Sequence, residues 1–162
     1  MPQSIGPLLR KYWQTLAPLP GGRWLFSRVL GLIAPYTGTL RATVLALEPG
    51  YCEVTLRERR RVSNHLHSTH AMALANLAEM ASGLALLNGL PAGARGILIG
   101  FDIEYLKKSR GQLTARCRCA VPQDSREQKY RIAVEIHDHT GELTTIAHAH
   151  WLIGPERHPD GK

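Results

Sequence analysis

The stretch "NHLHSTHAMALANLAE", Asn64 to Glu79, places His65, His67 and His70 close together and then sets one acid into an almost unbroken apolar run. Two chemistries suit such residues. Three imidazoles are a start on a zinc site, which needs three or four N, S or O ligands at about 2 Å. A carboxylate about two turns into an apolar helix is the other. Keeping it charged there costs several kcal/mol without a partner, so such a group is expected to have a partner or a task. Asn76, Glu79 and Ser82 follow one another at i, i+3 and i+6 and read as a polar stripe facing a ligand-lined cleft or a seam between two copies of the helix.

The metal reading is the weaker. A catalytic zinc site draws ligands from several elements, and the remaining pairs, His137/His139 and His148/His150, each share a strand face but are offset along their hairpin around "TGE". They are expected on the outer face of a sheet, and no metal is expected. The start of the helix has a different use. With Ser68 or Thr69 as its cap, the backbone N–H groups near Ala71 and Met72 point out of the positive end of the helix dipole, where a carbonyl oxygen or oxyanion binds. Ala71 and Glu79 are separated by about 12 Å of helical rise, too far to share one small atom. A site between two subunits brings the helix start of one chain to the helix middle of the other.

The elements that must position these groups follow from periodicity. Residues 4–16 and 22–34 read as two short helices broken by "LAPLPGG"; the second is too short to span a bilayer and packs on the body of the domain. From residue 38 the period becomes two: "TLRATVLALEPGYCEVTLRER" is a hairpin with Cys52, Val54 and Leu56 on its buried face. The helix from Ala71 to Leu87 is rich in Ala and Gly and is expected to be buried on nearly all sides, ending at "NGLPAG". Four strands follow. In the first, Ile97, Ile99, Phe101, Ile103 and Tyr105 are expected inward; in the second, Ala115, Cys117 and Cys119; in the third, Ile132, Val134 and Ile136; the last is "LTTIAHAHWLI". The class is α+β, an antiparallel sheet wrapped around one long central helix.

With 162 residues, 44% of them apolar and 20% charged, the chain suits one ordinary domain with a single core. Three cysteines, two of them in "CRC", match neither a disulfide nor a zinc spacing, and the first residues lack a signal-peptide pattern, so a cytoplasmic location is expected. The charge of +7 is uneven: residues 1–62 hold nine Lys/Arg and three Glu, which attracts a polyanion. Nucleic acid is the poorer fit, because no aromatic-rich sheet face accompanies the charges.

Asn64, His67, His70 and Glu79, followed by Gly83, resemble the hotdog-fold acyl-CoA thioesterases of the phenylacetate-pathway type (PaaI-like). There an Asn and a His precede a Gly-Gly pair at the start of the central helix, and an Asp or Glu lies nine residues beyond the His. The resemblance covers about residues 38–153, including "IEYLKKSRGQLTARCRC", and departs at the Gly-Gly pair, which is Ala71-Met72 here. It implies a hotdog domain over residues 37–154, with a helical extension over 1–36 and a flexible tail over 155–162. It further implies a homodimer, or a dimer of dimers, that hydrolyses an acyl-CoA without a cofactor. Glu79 would be the base or nucleophile, the Ala71 amide would polarise the carbonyl, Asn64 would orient water or carbonyl, and His70 would hold the helix start. His67, Met72 and Ser82 would line the substrate, and Lys107, Lys108 and Arg110, or secondly Arg57 and Arg59–61, would meet the phosphates of coenzyme A. A non-catalytic acyl-CoA binder and a hotdog dehydratase or hydratase are the rival readings.

Overall fold

The computed structural model describes residues 5–156. Three helices come first, α1 (Ile5–Leu16), α2 (Gly22–Ile33) and the single-turn α3 (Pro35–Gly38). They are followed by β1 (Thr43–Glu48), β2 (Tyr51–Leu56), a 3-10 turn at Arg60–Val62, and the long helix α4 (Ala71–Gly89). Strands β3 (Ala94–Tyr105), β4 (Leu113–Arg118), β5 (Gln128–His137) and β6 (Leu143–Pro155) complete the chain. All six strands form one antiparallel sheet in the order β1-β2-β4-β5-β6-β3, which curls around α4. The expected α+β architecture is thus present. Of the tail expected from 155, Pro155 closes β6, and residues 157–162 lie outside the described residues.

Alternation explains the sheet. Cys52, Val54 and Leu56 of β2, Ala115 and Cys117 of β4, and Ile132, Val134 and Ile136 of β5 all point inward and are buried against α4. Cys52 and Cys117 are direct cross-strand partners and both are free thiols. Strand β3 departs from the expectation. Its pairing with β6 slips between Leu98 and Gly100, so Ile99 is the extra residue of a β-bulge. Leu98 therefore faces the core in place of Ile97, and Ile97 and Ile99 are 46% and 50% exposed, whereas Phe101 and Ile103 pack inward as expected.

Helix α4 is long and apolar enough by length and composition to cross a membrane, but here it is the core, with Leu77, Ala78, Ala81, Ala85 and Leu86 fully buried. Small residues let its neighbours close in: a Cβ on Gly83 would stand 3.2 Å from the ring of Trp151. The N-terminal helices cover its far end. A Cβ on Gly6 would lie 2.6 Å from the Leu87 carbonyl, so only glycine lets α1 approach so closely. The Arg10 guanidinium then donates to the carbonyls of Asn88 and Leu90, satisfying the last turn of α4. Trp13 and Phe26 join α1 to α2 edge to face at 5.0 Å, and the Ser27 hydroxyl accepts the Val44 N–H at 2.9 Å, joining α2 to β1.

Leu77→Ala leaves a cavity where helix and sheet meet, at a cost of about 2–5 kcal/mol. The expected observation is a lower urea midpoint with an unchanged slope. A midpoint equal to that of the parent chain would contradict this placement of the core.

Candidate active site

The start of α4 is set by His70 and not by Ser68 or Thr69. His70 is extended, its ring Nδ1 accepts the Met72 N–H at 3.1 Å, and its carbonyl accepts the N–H groups of Ala73 and Leu74 at 2.9 and 3.1 Å. Ser68 and Thr69 are both buried; the Ser68 hydroxyl is committed elsewhere, and the Thr69 hydroxyl has no hydrogen-bond partner among the described residues. The Ser68 hydroxyl donates to Asn64 Oδ1 at 3.2 Å, while Thr69 pairs with Ser63 as an isolated β-bridge and donates its N–H to the Ser109 carbonyl at 2.8 Å. Three of the four N–H groups at the helix start are thereby occupied. The fourth, on Ala71, donates to no acceptor among the described residues, and the Ala71 carbonyl is held by the Tyr105 hydroxyl at 3.2 Å. Met72, the first side chain beyond it, is 54% exposed and projects into the adjoining cleft.

Asn64 organises the loop that delivers His70. Its Oδ1 accepts the N–H groups of Leu66 and Ser68 at 2.9 and 3.3 Å as well as the Ser68 hydroxyl, an Asx-type turn. His67 is exposed, with φ of 53°, in the left-handed region that a non-glycine residue seldom enters. Its carbonyl accepts a bond from Arg110 Nε at 2.9 Å. Arg110 thus ties the β3–β4 connection to this loop, and His65 is exposed beside it.

The expected stripe of Asn76, Glu79 and Ser82 does not face a single cleft. Each step of three residues rotates by about −60° on an α-helix, so the three polar groups wind through about 120°. Asn76 opens on a cleft of ≈ 790 Å³ beside the helix start, which His70, Met72 and Ala73 also line. Glu79 lines a separate, largely apolar cavity of ≈ 170 Å³ together with Leu9, Ile33, Met80, Leu84 and Trp151. Its carboxylate has no hydrogen-bond or ion-pair partner among the described residues and is half-buried. Ser82 is fully buried: its hydroxyl donates to the Glu79 carbonyl at 3.0 Å and accepts from Trp151 Nε1 at 3.3 Å.

The charges in "YLKKSRG" are largely occupied. Lys107 is 3.0 Å from Asp138 and also pairs with Glu142, while Lys108 is exposed. Asp138 organises the β5–β6 turn, accepting the Thr140 N–H and hydroxyl at 2.9 and 2.6 Å and the Glu142 N–H at 3.1 Å. The Thr140 hydroxyl, with Lys107 beside it, holds the Asp138 carboxyl down to about 2. A carboxyl depressed in the folded state stabilises fully above its unfolded pKa of about 3.9 and loses that contribution as the pH falls toward the folded value. Between pH 4 and 2, stability should therefore fall more steeply in the parent chain than in Asp138→Asn. Parallel urea titrations at both pH values check this, and equal slopes would contradict it.

The histidines are offset along the hairpin as expected, but β5 ends at His137 and His139 lies in the turn beyond it, so that pair shares no strand face. His148 stands opposite Ala133, whereas His137 stands opposite Leu143, and His150 on the outer face pairs with Asp102 at 2.7 Å. Among the described residues no group of three His, Cys, Asp or Glu is placed to hold a metal ion.

Sequence reasoning missed the other wall of the large cleft. Besides His70, Met72, Ala73 and Asn76 it is lined by Leu32, Tyr36 and Arg41, none of them singled out in the sequence, and by Arg61, which belongs to the second basic run named there. Arg41 carries no periodic signal and is brought there by the turn between α3 and β1. Among the described residues no carboxylate lines this cleft.

Comparison with known proteins places the fold and the family. No curated protein matches the chain. A structural-genomics target of known structure is 29% identical, with 94% of this chain and 99% of that one aligned at a TM-score of 0.79. A Pseudomonas aeruginosa protein described as a probable thioesterase is 19% identical over 85% of this chain and 97% of its own, at a TM-score of 0.69. A hypothetical thioesterase from Streptococcus pneumoniae, solved with coenzyme A, is 19% identical over 86% of this chain and all of its own, at a TM-score of 0.63. These likenesses identify the fold as the hotdog fold. The model of a family described as a domain of unknown function, DUF4442, matches residues 22–153, and the chain belongs to that family.

Proposed function

We propose that the chain hydrolyses an acyl thioester of coenzyme A, or a related thioester, at a site completed by two copies of itself. The observation that carries this reading is the pairing, on one helix, of an unoccupied N–H at Ala71 with an unpaired carboxylate at Glu79 in an apolar cavity. The first suits the oxygen of a carbonyl acquiring charge, and the second suits the activation of water. In the hydrolytic step Glu79 takes a proton from water as the oxygen attacks the thioester carbon, and the oxyanion faces the Ala71 N–H. The C–S bond then breaks, and the thiolate leaves with the proton held by Glu79. Attack by Glu79 itself, through an anhydride that water then opens, is the covalent variant. His70 positions the Ala71 amide by capping the helix, and Asn64 positions His70 through its turn.

Within one chain the two groups stand about 12 Å apart along the helix axis. A second copy supplies the missing half. The β3 edge of the sheet favours such pairing: twelve residues long and unpaired on its outer side, it presents Ile97 and Ile99 to solvent. Natural proteins seldom leave an apolar edge strand of this length uncovered. Coenzyme A bound to the Streptococcus pneumoniae neighbour supports the choice of thioester.

Binding without turnover is the second reading, favoured by the Met72 side chain at the mouth of the cleft where the resembled family has glycine. Following free thiol over a panel of acyl-CoAs separates the two. Catalytic release is expected; stoichiometric binding with no thiol would replace the enzyme with a binding protein.

A further inference from the structure

Four arginines converge where α3 leads into β1, and no carboxylate among the described residues pairs with them. Arg28 donates to the carbonyls of Arg41 and Ala42 at 2.8 and 3.0 Å, and Arg59 donates to those of Thr39 and Leu40. These two guanidinium groups hold the segment 39–42, in which Arg41 has φ of 49° and is exposed. The side chains of Arg41 and Arg61 make no hydrogen bond or ion pair among the described residues, and both line the cleft of ≈ 790 Å³ at the start of α4. Burial lowers the pKa of Arg59, and repulsion from Arg41, Arg61 and Arg28 lowers it further; Arg28 is lowered by burial and then by Arg41. The same cleft holds a second unmet demand. Asn76 is 5% exposed, its amide nitrogen reaches the Tyr36 carbonyl at 3.4 Å, and its Oδ1 is buried without a donor.

We propose that this cleft binds the phosphorylated arm of the ligand, with Arg41 and Arg61 taking phosphate oxygens and Asn76 Oδ1 accepting an amide or hydroxyl proton from the same molecule. The ligand class is a phosphate ester joined to an amide-bearing chain. Under the thioesterase reading, on which this assignment rests, that is the phosphopantetheine and nucleotide end of coenzyme A. Excess positive charge held together without acids is unfavourable until an anion arrives, and guanidinium forks match phosphate oxygens two at a time. This assignment prefers Arg41 and Arg61 to Lys107, Lys108 and Arg110, because Lys107 is paired to Asp138 and Glu142 and Arg110 Nε is bonded to the His67 carbonyl, which leaves Lys108 as the one exposed cation of that run without a partner among the described residues.

Calorimetric titration of the full chain with coenzyme A and with pantetheine, which lacks the phosphates, tests the assignment. The parent chain is expected to bind coenzyme A about tenfold or more tighter than pantetheine, and Arg41→Gln/Arg61→Gln is expected to lose that difference. Its melting temperature should not fall, because removing mutually repelling charges relieves the folded state. Equal affinity of the parent chain for the two ligands, or coenzyme A binding unaltered in the double variant, would overturn the assignment. Sedimentation with vesicles of phosphatidylcholine containing one third phosphatidylglycerol, in a chain that does not bind coenzyme A, would also overturn it by assigning the arginines to lipid headgroups. The readout is binding alone. Arginine-dependent binding without thiol release would sink the enzyme and keep this site, whereas thiol release with arginine-independent binding would do the reverse.

Discussion

Glu79→Gln is expected to lower acyl-CoA hydrolysis by about 10²- to 10⁴-fold while leaving the fold intact. The size of the effect follows from the role. A base that takes the proton of the attacking water has no substitute in its cavity, where Leu9, Ile33, Met80, Leu84 and Trp151 offer no other carboxylate. The fold survives because the carboxylate has no partner among the described residues to lose and glutamine keeps its shape. Melting temperature and thiol release measured on the same preparation separate the two effects. Turnover near that of the parent chain would remove Glu79 from the chemistry.

Ala71→Pro is expected to lower kcat by about 10²- to 10³-fold, again without loss of stability. The substitution replaces the N–H assigned to the thioester oxygen with a ring carbon that cannot donate. Ala71 is the first residue of α4, where a helix has no intrahelical use for the N–H and where proline's fixed φ is well suited. The preceding residue must be extended before a proline, and His70 already is, at φ −64° and ψ 139°. The bonds that the N–H groups of Met72, Ala73 and Leu74 donate to His70 remain available, so the cap stands. An unchanged kcat with a helix still formed would move the oxyanion site away from the helix start.

Much of the frame was legible in the sequence because it rests on periodicity. The β1–β2 hairpin and the inward faces of β4 and β5 follow from apolar alternation, and α4 follows from the length of the nearly unbroken apolar run that begins at Ala71. The misreadings arise where contacts remote in sequence decide. The bulge at Ile99 turns the first half of β3 over, and alternation alone carries no sign of it. Ser68 and Thr69 are good capping types, but Asn64 claims the Ser68 hydroxyl and a backbone bridge to Ser63 holds Thr69 with its hydroxyl unpartnered among the described residues, leaving the cap to a histidine ring. Lys107 and Arg110 read as free charges until Asp138, Glu142 and the His67 carbonyl reach them across the β5–β6 turn and the loop. The stripe from Asn76 to Ser82 fails for a geometric reason: a repeat of three drifts around a helix of 3.6 residues per turn. Arg41 and Arg61 are twenty positions apart and meet only when β1 and β2 pair.

The central claim is that one active site takes its oxyanion donor from one chain and its carboxylate from another. Mixing Glu79→Gln with Ala71→Pro chains, after dissociation and reassembly, tests it most directly. Random pairing places both lesions in one of the two sites of each mixed dimer and leaves the other intact, so thiol release should return to about a quarter of the parent value from two nearly inactive parents. A mixture no more active than its components, in which mixed dimers are verified by mass, would contradict the shared site.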